Sequence, residues 1–284
     1  MMTENGEPKF DEIGVWSEIK LEILRKYAPA YTKILSSQSY IKEYYYIDGF
    51  SGYGIHKSKT HDGLIEGSPS IALNTIPPFT GHYWIDLDSR KVEYLKQLAA
   101  GRSNVNVYEG DCNEILLNKV FPAIRYEHYK RALCLLDPYG LHLDWKVIAA
   151  AGRSKAIEIF LNFPVMDMNM NILWGNPRKV NPLQADRMTS FWGDESWKAV
   201  AYKKTKTLFG DIEEEKITNT NEKIASAFQS RLQEVAGFGF VPEPMPMRNT
   251  RGATVYYLFF ASPNKTGDKI VQNIMNQYRD VGIV

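Results

Sequence analysis

Four places along the chain put an acidic side chain where an apolar run gives way to a turn, and carboxylates so placed can hold a polar small molecule. The first is Asp48-Gly49-Phe50-Ser51-Gly52-Tyr53-Gly54, behind Tyr44-Tyr45-Tyr46-Ile47. The others are Tyr83-Trp84-Ile85-Asp86-Leu87-Asp88, Val107-Tyr108-Glu109-Gly110-Asp111-Cys112 and Leu135-Leu136-Asp137-Pro138-Tyr139-Gly140. Glycines at 49, 52 and 54 let backbone approach a ligand closely. A P-loop would add Lys-Ser/Thr, and a dinucleotide fingerprint would read G-x-G-x-x-G. Here the order is G-x-x-G-x-G behind an acid.

A carboxylate before the first glycine repels a pyrophosphate but pairs with an ammonium. That favours an amino-acid-bearing nucleoside, S-adenosylmethionine, over a nicotinamide dinucleotide; the bland alternative is a turn that only reverses the chain. On this reading Asp48, Gly49, Phe50, Ser51, Gly52 and Gly54 take the methionine end, Asp86 accepts from the ribose hydroxyls, and Asp111 with Cys112 marks the adenine corner. Asp88 and Asp111 also stand where a helix N-cap is expected, and Ser68 is the expected cap of a helix opening at Pro69. Asp137, Pro138 and Tyr139 form the candidate catalytic set. The carboxylate or the Pro138 carbonyl can accept from an exocyclic amine, and Tyr139 can stack on a planar base. Asn162-Phe163-Pro164 ends the next strand as a wall of the same crevice. His142 and Asp144 read as surface or capping residues before Trp145 rather than an acid/base pair. His56, His61, His82, His128 and His142 lack metal-ligand spacing, so no catalytic metal is expected. Cys112 and Cys134 read as small buried hydrophobes and fit a reducing, cytoplasmic setting.

The elements that must position these residues follow from the pattern. Strands are expected at 44–47, 82–85, 105–108, 132–136 and 157–161, alternating with helices at 16–35, 68–74, 89–100, 113–121 and 143–151. Such alternation predicts a Rossmann-like α/β fold, mostly parallel, with helices on both faces. Between Gly54 and His82 a loop and one helix are expected. From 166 to 237 the composition shifts to Met, Asn, Trp and Lys, and a helical insertion for substrate or partner is expected. Residues 169–206 hold seven basic against three acidic side chains, a solvated face or a substrate-facing patch. The stretch 238–284 returns to β character, with a hairpin of 238–241 against 254–261 at the sheet edge and a last helix at 269–278. The expected domains are thus a leader (1–15), a cofactor-binding core (16–165), the insertion (166–237) and the closing segment (238–284).

With 284 residues, 44% hydrophobic and 24% charged, the chain is of globular composition. Its net charge of +1 gives no global field for nucleic acid. No apolar run approaches the ~20 residues of a membrane span, and no signal-peptide core is expected at the N-terminus.

In order, the four motifs resemble those of Rossmann-like class I S-adenosylmethionine-dependent methyltransferases. More closely, Tyr46-Ile47-Asp48-Gly49-Phe50-Ser51-Gly52, Gly67-Ser68-Pro69 and Leu135-Leu136-Asp137-Pro138-Tyr139-Gly140-Leu141 resemble the three-Cys-motif partner (TcmP) family, over about residues 16 to 165. The resemblance implies S-adenosylmethionine as cofactor, methyl transfer with a nucleic-acid base as candidate acceptor, and a three-cysteine-motif, radical-S-adenosylmethionine-like protein as partner. Asp137-Pro138-Tyr139-Gly140 lacks the second proline of the Asp/Asn-Pro-Pro-Tyr/Phe motif of adenine amino-methyltransferases. That departure favours the alternative, a non-catalytic cofactor-binding module acting through its partner.

Overall fold

A computed structural model describes residues 10–60, 62–206, 212–249 and 251–279. The first nine leader residues, His61, 207–211 of the insertion, Thr250 and 280–284 lie outside the described residues. The chain divides into two compact units, one through Leu136 and again from Lys269, the other Asp137–Asp268. The main sheet has seven strands and is mostly parallel, with an antiparallel C-terminal hairpin.

The first unit contains, in chain order, β1 (Glu12–Ile13), α1 (Val15–Ser36), β2 (Glu43–Asp48), β3 (Ile55–Ser58), β4 (Leu64–Glu66), α2 (Ser68–Leu73), β5 (Gly81–Asp86), α3 (Ser89–Leu98), β6 (Val105–Glu109), α4 (Cys112–Ile115) and β7 (Lys130–Leu136). Its part of the main sheet runs β7-β2-β5-β6, every pair parallel. The chain steps outward from β2 to β5 to β6, then returns to lay β7 on the other side of β2. That reversal is a topological switch point, where open α/β sheets bind ligands beyond the strand carboxyl ends. Tyr46 and Ile47 are both 0% exposed although successive strand residues face opposite ways, so both faces are covered at this level. The expected stripe Ile19, Ile23, Leu24, Tyr27 and Tyr31 of α1 is buried.

Two expectations need correcting here. The stretch after Gly54 is not a loop: β3 and β4 form an antiparallel hairpin, and β1 from the supposed leader adds to it in parallel. Phe10 also packs its ring on Tyr53 and Tyr94, at 5.8 and 5.7 Å between centroids. The leader is therefore tied down from Phe10 onward by an aromatic anchor and a strand. The short, polar His56-Lys57-Ser58 segment gave too weak an alternation to be read as a strand.

The second unit contains α5 (Trp145–Ser154), β8 (Ile157–Phe163), α6 (Val165–Asn171), α7 (Pro182–Trp192), α8 (Trp197–Ala201), β9 (Tyr202–Lys206), β10 (Ile212–Lys216), α9 (Thr220–Glu234), β11 (Met245–Arg248) and β12 (Thr254–Ala261). Its part of the main sheet runs β11-β12-β8, both pairs antiparallel. The last helix, α10 (Lys265–Asn276), starts four residues before the expected position. Phe228 on α9 meets Phe163 at 4.7 Å, Phe191 at 5.6 Å, Trp192 at 5.5 Å and Phe259 at 5.5 Å. One phenyl ring thus joins α7 and α9 to strands β8 and β12.

Two further corrections fall in this unit. The stretch 166–237 is not purely helical, because β9 and β10 form an antiparallel ribbon. Lys203 lies opposite Glu215 and Lys204 opposite Glu214, with a 3.0 Å Lys203–Glu215 ion pair, so the basic excess of 169–206 is met by an acidic strand just beyond it. The hairpin partner of β12 is 245–248, not 238–241; Phe240 makes only an isolated bridge to Ser262. Pro246 lies within β11, the terminal strand of the sheet order, where a missing N–H is tolerated. No helix among the described residues is long and apolar enough to cross a membrane.

Candidate functional site

The turn after β2 is built from the inside. Asp48 is 0% exposed, and its Oδ2 accepts from the Tyr46 hydroxyl at 2.9 Å and the Ser68 hydroxyl at 2.6 Å. Its Oδ1 accepts from the Phe50 N–H at 3.2 Å, bending the chain into the turn. Burial, and then the Asp48 charge, holds the Tyr46 phenol well above its ordinary pKa, which keeps it a donor. Ser51 fastens the turn to β5: its N–H donates to Ile85 O at 2.9 Å, and its Oγ accepts from the Ile85 N–H at 3.0 Å.

The glycines have separate reasons. Gly52 and Gly54 sit at φ 63° and 71°, the left-handed region an L side chain takes at a cost. At Gly49 an added Cβ would stand 2.8 Å from Cys112 Sγ. Cys112 is buried, with its thiol pushed up mainly by burial, so it meets the turn as a neutral packing group. Cys134 is likewise buried, its thiol pushed up mainly by burial.

Two outcomes differ from the sequence reading. Ser68 is the first residue of α2, Gly67 is the cap, and the Ser68 hydroxyl is spent on Asp48. Asp48 itself points inward, so it shapes the turn rather than offering its carboxylate to a ligand ammonium. Tyr46 and Ser68 are the residues the sequence reading missed in this role. Tyr46 lies two positions before Asp48 on the same strand face, which was the available signal.

Asp86 links the first corner to the second. Its Oδ2 accepts from the Gly52 N–H at 2.8 Å and its Oδ1 from the Asp88 N–H at 2.9 Å. It is half-buried, and a carboxylate has about four acceptor sites, so capacity is left for hydroxyl donors. Asp88 is committed elsewhere: it caps α3 through the Arg90 N–H and pairs with the Arg90 guanidinium at 2.6 Å. That side-chain hydrogen bond leads in holding its pKa down at about 2. Asp111 caps α4 with Oδ1, accepting from the N–H groups of Asn113 and Glu114 at 2.7 and 3.2 Å. It is exposed, just past Gly110 at φ 141°.

In the second unit, Asp137 is half-buried, Pro138 buried and Tyr139 67% exposed. Asn162, near the end of β8, donates from Nδ2 to Asp137 Oδ1 at 2.7 Å, which pairs the expected crevice wall with the expected catalytic acid. Its amide oxygen Oδ1 is buried and has no hydrogen-bond partner. An orphaned acceptor beside a carboxylate is costly unless a donor comes to it. Gly140, at φ 57°, lies so close that an added Cβ would stand 3.0 Å from Asp167 Oδ2. Asp144 occupies the N-cap position of α5 without capping it by its side chain, which accepts instead from the Ser190 hydroxyl at 2.6 Å. No group of metal-ligating side chains occurs among the described residues.

No family model matches the chain. No curated protein matches it either. Among solved structures, it is similar to a Legionella pneumophila protein of the DUF519 family model, at a TM-score of 0.51 and 10% identity, covering 91% of each chain. Looser likenesses are a putative methyltransferase from Thermobifida fusca (TM-score 0.44, 12% identity, 87% of this chain and 81% of that one) and a putative S-adenosyl-L-methionine-dependent methyltransferase from Methanococcus maripaludis (TM-score 0.36, 15% identity, 93% and 98%). The first likeness supports the Rossmann-like α/β fold that the strand order establishes.

Proposed function

We propose that this chain is an S-adenosylmethionine-dependent methyltransferase whose acceptor is an amino nitrogen, a nucleic-acid base being the leading class. The observation that carries the cofactor reading is the join between the two turns at the switch point. Gly52, in a left-handed conformation, donates its N–H to Asp86, the carboxylate that ends the adjacent strand. A glycine-cradled end and a hydroxyl-accepting carboxylate are thereby fixed as one piece, suited to an amino-acid-bearing nucleoside. An added Cβ at Gly49 would stand 2.8 Å from Cys112 Sγ, and Gly54 holds φ 71°, so the cradle depends on glycine.

Bound S-adenosylmethionine supplies a methyl group on an electrophilic sulfonium, so the protein's work is positioning more than acid/base chemistry. Asp137 and Asn162 supply that positioning in this reading. The orphaned Asn162 Oδ1 and the Asp137 carboxylate both accept, which matches an acceptor bearing N–H donors. Hydrogen bonds to those N–H groups leave the nitrogen lone pair for the methyl carbon and draw off the proton that becomes acidic as the N–C bond forms. Tyr139, exposed beside them in sequence, offers a ring face to a planar base. The motif resemblance adds a three-cysteine-motif protein as partner, and a cytoplasmic setting accords with the buried free thiols.

Isothermal titration tests this reading. S-adenosylmethionine is expected to bind and NAD not to, with Asp86→Ala weakening the former at least tenfold. No heat with S-adenosylmethionine at millimolar concentration sinks the proposal. Methyl transfer is then sought with labelled cofactor and cellular RNA, DNA and protein fractions. Cofactor binding without transfer to any fraction, with or without the partner, shifts the assignment to the non-catalytic module.

A further inference from the structure

One face of the first unit's sheet carries a diagonal of tyrosines that the cofactor site does not use. Tyr45, Tyr83 and Tyr108 lie on the adjacent strands β2, β5 and β6. Tyr83 pairs with Ile47, two residues past Tyr45, and Tyr108 pairs with Ile85, two past Tyr83. Side chains alternate along a strand, so all three rings share one face and climb it as steps. Their centroids are 5.4 Å apart for Tyr45–Tyr83 and 6.4 Å for Tyr83–Tyr108, the latter pair nearly parallel at 16°. Each tyrosine is only half-buried. A lysine stands at either end: Lys130 Nζ is 5.7 Å from the Tyr45 centroid and Lys119 Nζ 5.6 Å from that of Tyr108.

Sheets of this class are expected to bury both faces under aliphatic packing. The aliphatics of this face, Ile47 and Ile85, are indeed 0% exposed, so what the diagonal presents to solvent is aromatic, with the Lys119 ammonium at one end and the Glu43–Lys130 ion pair at the other. Burial pushes the Tyr45 phenol up to about 12 and also raises that of Tyr83. Beyond Lys130 the aromatic run continues in Tyr129, 49% exposed and held at φ 59°, with the ring of Tyr40 at 6.4 Å. A bulky residue takes that backbone conformation at a cost, which glycine or asparagine would lower.

We propose that this diagonal binds single-stranded nucleic acid, with bases stacking along Tyr45, Tyr83 and Tyr108 and phosphate drawn to Lys119. Every base has a π-face, so aromatic side chains on neighbouring strands accept unpaired bases with little sequence preference. The Lys119 ammonium beside Tyr108 matches a phosphate next to a stacked base. Glu43 pairs with Lys130 and offsets part of the charge, so the salt dependence is expected to be shallow. The surface is independent of the methyl-transfer reading.

Fluorescence anisotropy of the full chain with labelled oligo(U) and oligo(dT) of about twelve nucleotides, at low salt and without cofactor, tests this. Saturable binding is expected, with the two oligomers separating RNA from DNA preference and a duplex of equal length binding far more weakly. Tyr83→Ala should weaken binding about tenfold, while Tyr83→Phe, which keeps the ring, should bind like wild type. Lys119→Glu, on an exposed side chain with no part in the core, should also weaken binding and flatten its salt dependence. The proposal is overturned by an absence of saturable binding, by equal affinity for the duplex, by Tyr83→Phe losing as much as Tyr83→Ala, or by Lys119→Glu leaving affinity unchanged. Thermal melts of each variant separate lost binding from lost folding.

Discussion

The turn after β2 and the Asp137–Asn162 corner use their carboxylates in opposite ways. Asp48 is sealed from solvent and accepts from groups of its own chain at both oxygens, while the Asp137 corner is partly open and carries an orphaned acceptor at Asn162. The first is a self-satisfied device that fixes backbone. The second leaves hydrogen-bonding capacity unfilled within the protein. On the proposed function, rigidity belongs where an invariant cofactor is held, and unfilled capacity where an acceptor must be oriented as it reacts.

The largest effect should come from breaking the sealed corner. Asp48→Ala strands the hydroxyls of Tyr46 and Ser68 and the Phe50 N–H. Each orphaned group costs roughly 1–3 kcal/mol, so after partial relaxation about 4 kcal/mol of folding stability should be lost. Denaturant unfolding checks this. A loss under about 1 kcal/mol would mean that the carboxylate is not what holds the turn.

Acid should act on the same unit through β5. His82 is 2% exposed, packed against Phe79 and Trp84 at 5.7 and 5.8 Å, and burial, then the charge of Arg102, pushes its pKa from 6.5 down to about 4. The unfolded chain takes up the proton first as pH falls. Stability is therefore fully present above about 6.5 and drains as pH drops towards 4, by roughly 3 kcal/mol in all. In His82→Phe this part of the pH dependence should vanish. An unchanged profile would place the acid sensitivity elsewhere.

The open corner should respond in rate rather than in stability. Asp137→Ala is expected to cut methyl transfer about a hundredfold while cofactor affinity stays within twofold. Asn162→Ala, which removes the orphaned acceptor, should raise KM for the acceptor about tenfold with a smaller change in kcat. If either variant instead loses cofactor affinity in proportion, the contrast between a holding corner and an orienting corner fails.

How far the sequence carried this picture depended on the kind of signal. The β2, β5, β7 and β8 strands were legible because they are largely buried and read as apolar and aromatic runs, and the more exposed β6 because Val105, Val107 and Tyr108 lead straight into a glycine turn. The caps Asp88 and Asp111 were legible for the same local reason, since a cap needs only its own next few residues. What stayed hidden was non-local. Nothing near Ser68 reveals that its hydroxyl goes twenty residues back to Asp48, nor does the polar β3–β4 hairpin alternate strongly enough to declare itself. Pro242, Pro244 and Pro246 hid the true hairpin partner by looking like a linker, although the terminal position of β11 accommodates Pro246.

The smallest effect is the most discriminating between two neighbouring acids. Asp86 and Asp88 leave the same strand, but Asp86 faces the glycine turn while Asp88 faces α3. Asp88→Ala removes a cap and an exposed ion pair, so about 1 kcal/mol of stability should go. Cofactor affinity should stay within twofold, because nothing Asp88 holds reaches the turn. Titration and thermal melting on one preparation read both quantities. Were Asp88→Ala to weaken S-adenosylmethionine as much as Asp86→Ala, the ribose would lie nearer the start of α3. The bond between Gly52 and Asp86 would then describe how the turn is braced rather than where the ligand sits.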